Sequence, residues 1–143
     1  MYDFLLFPII AFSLAQGLKV LLRSFKHKIT WHDLFAYSDM PSGHTSVVVS
    51  LVVILGLRLG LSSPIFAAAF VFATIIIVDA IGLRNYLGQH GKVLNILVKD
   101  LKDDEFLDHS YPKLLEHIGH TPFQVAIGSL IGAATSLIGF LLF

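Results

Sequence analysis

Met40-Pro41-Ser42-Gly43-His44-Thr45 stands directly before an apolar run that reads as a helix from about Ser46 to Leu61. Proline and glycine punctuate the backbone, two hydroxyls flank the glycine, and one imidazole sits beside it. A helix start exposes unpaired N–H groups and the positive end of the macrodipole, which together favour an anion. A histidine that can move protons near neutral pH makes the stretch suited to phosphate chemistry.

The rest of the chain shares the apolar character of that run. Of 143 residues, 55% are hydrophobic and only 14% charged, and the mean hydropathy is +0.78. A soluble domain carries about 25% charged residues, so a membrane protein is expected, with a length that suits one domain over 1–143. Four segments are apolar enough to span: about Phe4–Leu22 with Pro8 inside it, Ser46–Leu61, Pro64–Val78 ending on Asp79, and Phe123–Phe143. Spanning takes roughly 20 residues. The first and last are comfortable, and the shorter middle two share the tight turn Leu61-Ser62-Ser63-Pro64, as a transmembrane hairpin or one buried helix pair. Asp3 stands where a signal peptide would be positive, so the first segment reads as a retained helix. The expected fold is all-α, an integral membrane bundle of about four transmembrane helices with a cytoplasmic amphipathic helix between the third and fourth.

Orientation follows from the basic residues. Lys19, Arg23, Lys26, Lys28, Arg84, Lys92, Lys99, Lys102 and Lys113 fall on the side of the two long connections, and only Arg58 on the other. Such an asymmetry predicts that both connections are cytoplasmic. Within the second connection, Leu87, Leu94, Leu97 and Leu101 recur at helical spacing, with Lys92, Asn95, Lys99 and Lys102 between them. That pattern predicts an amphipathic helix, lying on the membrane surface or packed on its own protein. Asp100-Leu101-Lys102-Asp103-Asp104-Glu105 reads as an exposed helix end and turn. Gly128 and Gly132 allow close helix approach, inside the bundle first and at a dimer contact second.

The absence of cysteine removes disulfides, thiolate chemistry and cysteine-based zinc sites. Nucleic-acid binding has no support, because no basic face exists beyond what membrane orientation explains.

Three polar clusters lie at the same end of the expected bundle. They are Ser42-Gly43-His44-Thr45, Asp79-Ala80-Ile81-Gly82-Leu83-Arg84, and Glu116-His117-Ile118-Gly119-His120-Thr121-Pro122. Lys19 lies at a similar level. Ser42 has the simpler reading of an N-cap, and Thr121 before Pro122 is likewise a good helix start. Asp79, at the end of Ile75-Ile76-Ile77-Val78, would cost up to about 3 kcal/mol inside the bilayer, and such residues usually pair or function. Arg84 is a candidate partner. With His44 and His120 each beginning a helix, one can attack phosphorus while the other protonates the leaving oxygen. A metal site built from His117, His120, Glu116 and Asp79 is the competing use of these side chains.

On these residues the sequence resembles a known superfamily. Pro41-Ser42-Gly43-His44 is similar to the central signature of the type 2 phosphatidic acid phosphatases and vanadium-dependent haloperoxidases. Gly119-His120-Thr121-Pro122-Phe123-Gln124-Val125, followed by Gly128 and Gly132, resembles their final signature. Asp79, Gly82, Arg84, Gly88, Gln89 and Leu94-Asn95 also fit the small divergent, membrane-embedded branch, and the resemblance covers nearly the whole chain. It implies that His120 is the nucleophile that forms a phosphohistidine and that His44 protonates the leaving group. Ser42 and the Gly43 N–H would hold phosphate oxygens, Arg84 and Lys19 would bind the phosphate, and Asp79 and Gln124 would support them. The implied substrate is a lipid-linked phosphate monoester or pyrophosphate, with no metal or other cofactor. Four short helices make a thin scaffold for a closed pocket, and a homodimer is expected for that reason.

The chain departs from the family pattern at several points. Leu114, beside Lys113, stands where the final signature has arginine, and Gln124 stands where it has an acidic residue. Gln124 can orient a ring but cannot stabilise an imidazolium by charge. Lys19 and Lys26 have the spacing of the family's first lysine and arginine, but His27 rather than proline follows Lys26. These departures favour an alternative reading, a catalytically degenerate membrane protein that binds phosphate or lipid head groups or serves assembly. A small transporter is a further alternative, although the chain lacks the internal repeat of alternating-access designs.

Overall fold

The structure is a computed structural model, and it describes residues 2–25, 40–103 and 112–143. Lys26, His27, Lys28, Asp104 and Glu105, which carry several of the expectations above, lie outside the described residues.

The described residues form five helices: α1 (Asp3–Ser24), α2 (Gly43–Leu59), α3 (Pro64–Ile81), α4 (Leu83–Asp103) and α5 (Pro122–Leu142). The α1, α5 and α3 stretches are long and apolar enough to cross a membrane, whereas α2 has 17 residues. At 1.5 Å per residue α2 spans about 25 Å, short of a hydrocarbon core of about 30 Å. It is packed against α1, α3 and α5. With protein on three sides, α2 need not match the bilayer thickness by itself. The large side chains exposed on the outer helices are apolar, among them Leu5, Ile9, Phe70, Ile75, Leu130 and Ile138. That is the distribution of a helical bundle in lipid.

Element ends differ from the expected ones for local reasons. Ser42 accepts the Thr45 N–H at 3.4 Å, so α2 begins at Gly43 rather than Ser46, and the histidine lies in its first turn. The third helix runs past Asp79 to Ile81, because the carboxylate finds a cation in Arg84 and need not end the helix. At the start of α5, Thr121 and Gln124 close a reciprocal capping box, with Pro122 in the first helical turn.

The closest packing is between α2 and α5. A Cβ on Gly128 would lie 2.5 Å from the Ser42 carbonyl oxygen, and one on Gly132 would collide with that of Ser46. One turn further on, Ser50 and Ser136 meet. Ser136 Oγ donates to the Ser50 carbonyl at 2.7 Å, and the two hydroxyls are 2.7 Å apart. Ser136 has a single proton, so Ser50 donates in the second bond. The pairs 42/128, 46/132 and 50/136 all ascend together, so α2 and α5 run parallel. The small-residue stripe of α5 is thus covered by α2 within one chain. At the far end Asp3 of α1 pairs with Arg58 of α2 at 2.9 Å. The Arg58 guanidinium lies 4.9 Å from the centre of the Phe140 ring.

Candidate functional site

Two backbone hydrogen bonds bring the three polar clusters to one end of the bundle. The Ser42 N–H donates to the Gln124 carbonyl at 3.2 Å, which joins the starts of α2 and α5. The His120 N–H donates to the Ala80 carbonyl at 2.9 Å, which joins the start of α5 to the last turn of α3. The fourth wall is α1: a Cβ on Gly43 would meet the Phe12 ring at 3.2 Å and Gln16 Oε1 at 3.5 Å.

Charge converges on the same place. Lys19 is buried on the inner side of α1, with 4% of its surface exposed. Arg84 donates from Nε to Asp79 Oδ2 at 2.7 Å, across the break at Gly82. Arg84, Lys19 and Asp79 are the charged groups that act on the His44 imidazole. The His44 side chain is exposed, while His120 is 1% exposed. Two cations and a carboxylate therefore gather near a helix N-terminus, which itself carries partial positive charge.

Other expected site residues are placed less simply. Ser42 is fully buried, and its Oγ lies 2.9 Å from Thr45 Oγ1 as well as capping the Thr45 N–H. Gln124 Oε1 accepts the Thr121 N–H at 2.9 Å, and Gln124 N–H donates to Thr121 Oγ1 at 3.3 Å. Leu114, where the superfamily has arginine, gives its N–H to Asn95 Oδ1 at 2.9 Å. The competing metal reading is not met. Among the described residues no three His, Asp or Glu side chains are grouped to hold an ion, so Glu116, His117, His120 and Asp79 do not form that site.

One arrangement escaped sequence reasoning. Residues 112–121, outside any helix, carry the stretch 114–120 laid along one face of α4, running antiparallel to it. Asn95 Nδ2 donates to the Leu114 carbonyl and to Glu116 Oε1, both at 2.9 Å. A Cβ on Gly91 would lie 2.6 Å from the Leu115 carbonyl oxygen, and one on Gly88 2.5 Å from that of Glu116. Asn85 finishes the series, donating from Nδ2 to the Ile81 carbonyl at 2.6 Å and to the His120 carbonyl at 3.2 Å. Two asparagines ten apart, with two glycines between them on one helix face, were the available signal. Asn95 enters the sequence reading only as a polar position of the amphipathic helix and through the family resemblance, and Asn85 does not enter it.

Fold and site together define an all-helical integral membrane protein with a cation-rich, histidine-bearing end formed by helix termini. The chain belongs to the Divergent PAP2 family, whose model matches residues 2–135. It is similar to the Uncharacterized membrane protein YuiD of Bacillus subtilis (strain 168), at 32% identity over 146 residues, covering 94% of this chain and 91% of that one. No solved structure matches it.

Proposed function

We propose that the chain is a membrane phosphatase that hydrolyses a lipid-linked phosphate monoester or pyrophosphate through a phosphohistidine. The observation that carries this reading is the convergence of Lys19, Arg84 and the Arg84-paired Asp79 on His44 in the first turn of α2. A phosphoryl group is attracted by these cations and by the helix N-terminus, and fixed donors around it stabilise the charge of the transition state. The His120 ring attacks phosphorus, the bond to the leaving oxygen breaks, and His44 gives that oxygen a proton. Water then hydrolyses the phosphohistidine and releases phosphate. Ser42 sets the start of α2, and the Gly43 N–H and the Arg84 guanidinium hold phosphate oxygens. The nine-to-one distribution of basic residues supports a site on the cytoplasmic side, and a substrate reached at the membrane surface is amphiphilic.

The test is phosphate release by the purified full-length protein in detergent, over a panel of lipid phosphates and pyrophosphates, with vanadate as inhibitor. Absence of turnover on every member, or turnover unchanged in His120→Ala, sinks the reading.

A second reading, a phosphate- or head-group-binding protein without turnover, is favoured by Gln124 and Leu114. The Gln124 side-chain oxygen closes a helix cap, and the Leu114 side chain brings no cation to the family's arginine position. Thermal stabilisation by inorganic phosphate or phosphatidic acid without turnover selects it.

A further inference from the structure

The two faces of α4 face different surroundings. The Asn85, Gly88, Gly91 and Asn95 face is covered by the 114–120 stretch that ends on His120. A second face, formed by Leu83, Tyr86, Leu87, Leu94, Leu97 and Leu101, is exposed along the whole helix. These residues fall on one side of the helix in two groups, 83–87 and 94–101, and make an apolar stripe interrupted once, by the exposed His90. An apolar stripe of that length is unfavourable in water, so something covers it.

We infer that the lipid bilayer surface covers this stripe, and that α4 thereby couples membrane contact to the placement of His120. The bilayer is the occupant because the stripe continues a surface that lipid already covers. One residue, Gly82, separates α4 from the spanning α3, whose Ile75 and Val78 are exposed near its end. Leu83 and Tyr86 are exposed just beyond these two residues in the chain, beside the Arg84–Asp79 ion pair, and tyrosine is favoured at the membrane–water boundary. Lys92 and Lys99, seven apart on the side away from the stripe, remain exposed for the aqueous phase. A helix seated in this way is fixed in depth and rotation by the membrane, and its other face then fixes the extended stretch that carries His120. Rotation of α4 off the bilayer would move Asn85 and Asn95 together, and with them both ends of that stretch.

The chain contains no cysteine, so single cysteines carry nitroxide labels without background. The full-length protein is reconstituted into vesicles of phosphatidylcholine and phosphatidylglycerol. Labels at Leu87→Cys, Leu94→Cys and Leu97→Cys are expected to meet oxygen dissolved in lipid more often than an aqueous nickel chelate, and labels at Lys92→Cys and Lys99→Cys the reverse. Stripe labels open to the nickel chelate overturn the docking, and so do stripe labels shielded from both reagents, which would place a second copy there. The coupling is read by amide hydrogen exchange over residues 114–120. The pair Leu94→Glu and Leu97→Glu is expected to lift the stripe and speed that exchange roughly ten-fold, while the amides of α5 stay protected. Asn95→Ala is expected to give a similar roughly ten-fold rise, from lost hydrogen bonds, with the Leu87→Cys label still in lipid. Should the glutamate pair unfold the helix, Leu97→Gln carries the same comparison. Exchange unchanged once the stripe leaves the bilayer overturns the coupling. Only the catalytic consequence rests on reading His120 as the nucleophile. Neither readout needs turnover, so failure of that reading shows in the phosphatase assay alone.

Discussion

The two ends of the bundle hold ion pairs that look alike and serve differently. Arg58 and Asp3 are 2.9 Å apart with side chains 29% and 31% exposed, and Arg84 and Asp79 are 2.7 Å apart with side chains 27% and 32% exposed. Length and exposure therefore do not separate them. Their neighbours do. Arg58 has one carboxylate and an aromatic ring, so its charge is matched and its face covered. Arg84 and its carboxylate lie within electrostatic reach of a histidine in the first turn of a helix, which a buried lysine also reaches. The first pair ties α1 to α2 and is complete. The second stands among the candidate site residues at the starts of α2 and α5, where an ion pair can serve a site as well as a strut.

The sharpest way to break this contrast is to remove the proposed nucleophile. His120→Ala is expected to lower turnover of a lipid phosphate on the order of a thousand-fold, measured as released phosphate. A smaller effect is expected from the two arginines. Arg84→Gln should reduce kcat/KM by about a hundred-fold, as the loss of one fixed donor to a phosphoryl group does. Arg58→Gln should leave kcat/KM unchanged and cost about 1 kcal/mol of stability in detergent, since its pair is partly exposed. Equal losses of activity in the two variants would mean that the ends are not functionally distinct.

Packing offers a weaker form of the same comparison. In Gly128→Ala the new methyl meets the Ser42 carbonyl, which is backbone, and a cost of about 1–3 kcal/mol is expected. In Gly139→Ala the atoms nearest the methyl belong to the Phe7 ring, a side chain rather than backbone, so the thermal shift should be smaller. A larger shift for Gly139→Ala would show that the Arg58 end is the more rigid one. The smallest effect belongs to Phe140→Leu. Loss of the ring beneath Arg58 should cost about 0.5–1 kcal/mol in thermal unfolding and leave phosphate release untouched.

The apolar segments were legible because lipid solvation writes long uncharged runs into a chain, and α1, α2, α3 and α5 each occupy one. Their ends were less legible. Ser42 was readable as a cap, yet the consequence that α2 starts at Gly43 and takes in His44 depends on a hydrogen bond to Thr45. Asp79 read as a terminus because a carboxylate beside four β-branched residues looks like an exit from the membrane. The structure keeps it inside α3 by pairing it with Arg84. The seating of 114–120 on α4 left almost no trace. Periodicity reports where apolar residues recur, whereas this contact is made by asparagine amides and by glycines that admit carbonyl groups. Neither has an apolar period. The leucine stripe was read correctly as amphipathic, but within the described residues the face that meets protein is the polar one.

The paired hydroxyls of Ser50 and Ser136 have a consequence for axial alignment. The facing rows 42, 46, 50 and 128, 132, 136 both repeat every four residues, so sliding α5 along α2 by one turn would bring small residues opposite each other again. Such a slip is about 6 Å, four residues at about 1.5 Å each, more than the size of a phosphoryl group, and it would carry His120 out of step with His44. Steric fit alone would tolerate it. Only the true alignment lets Ser136 reach the Ser50 carbonyl while Ser50 reaches Ser136. The two serines thus act as an indexing pin, deep in the bundle, that sets which turn of α5 stands level with the start of α2.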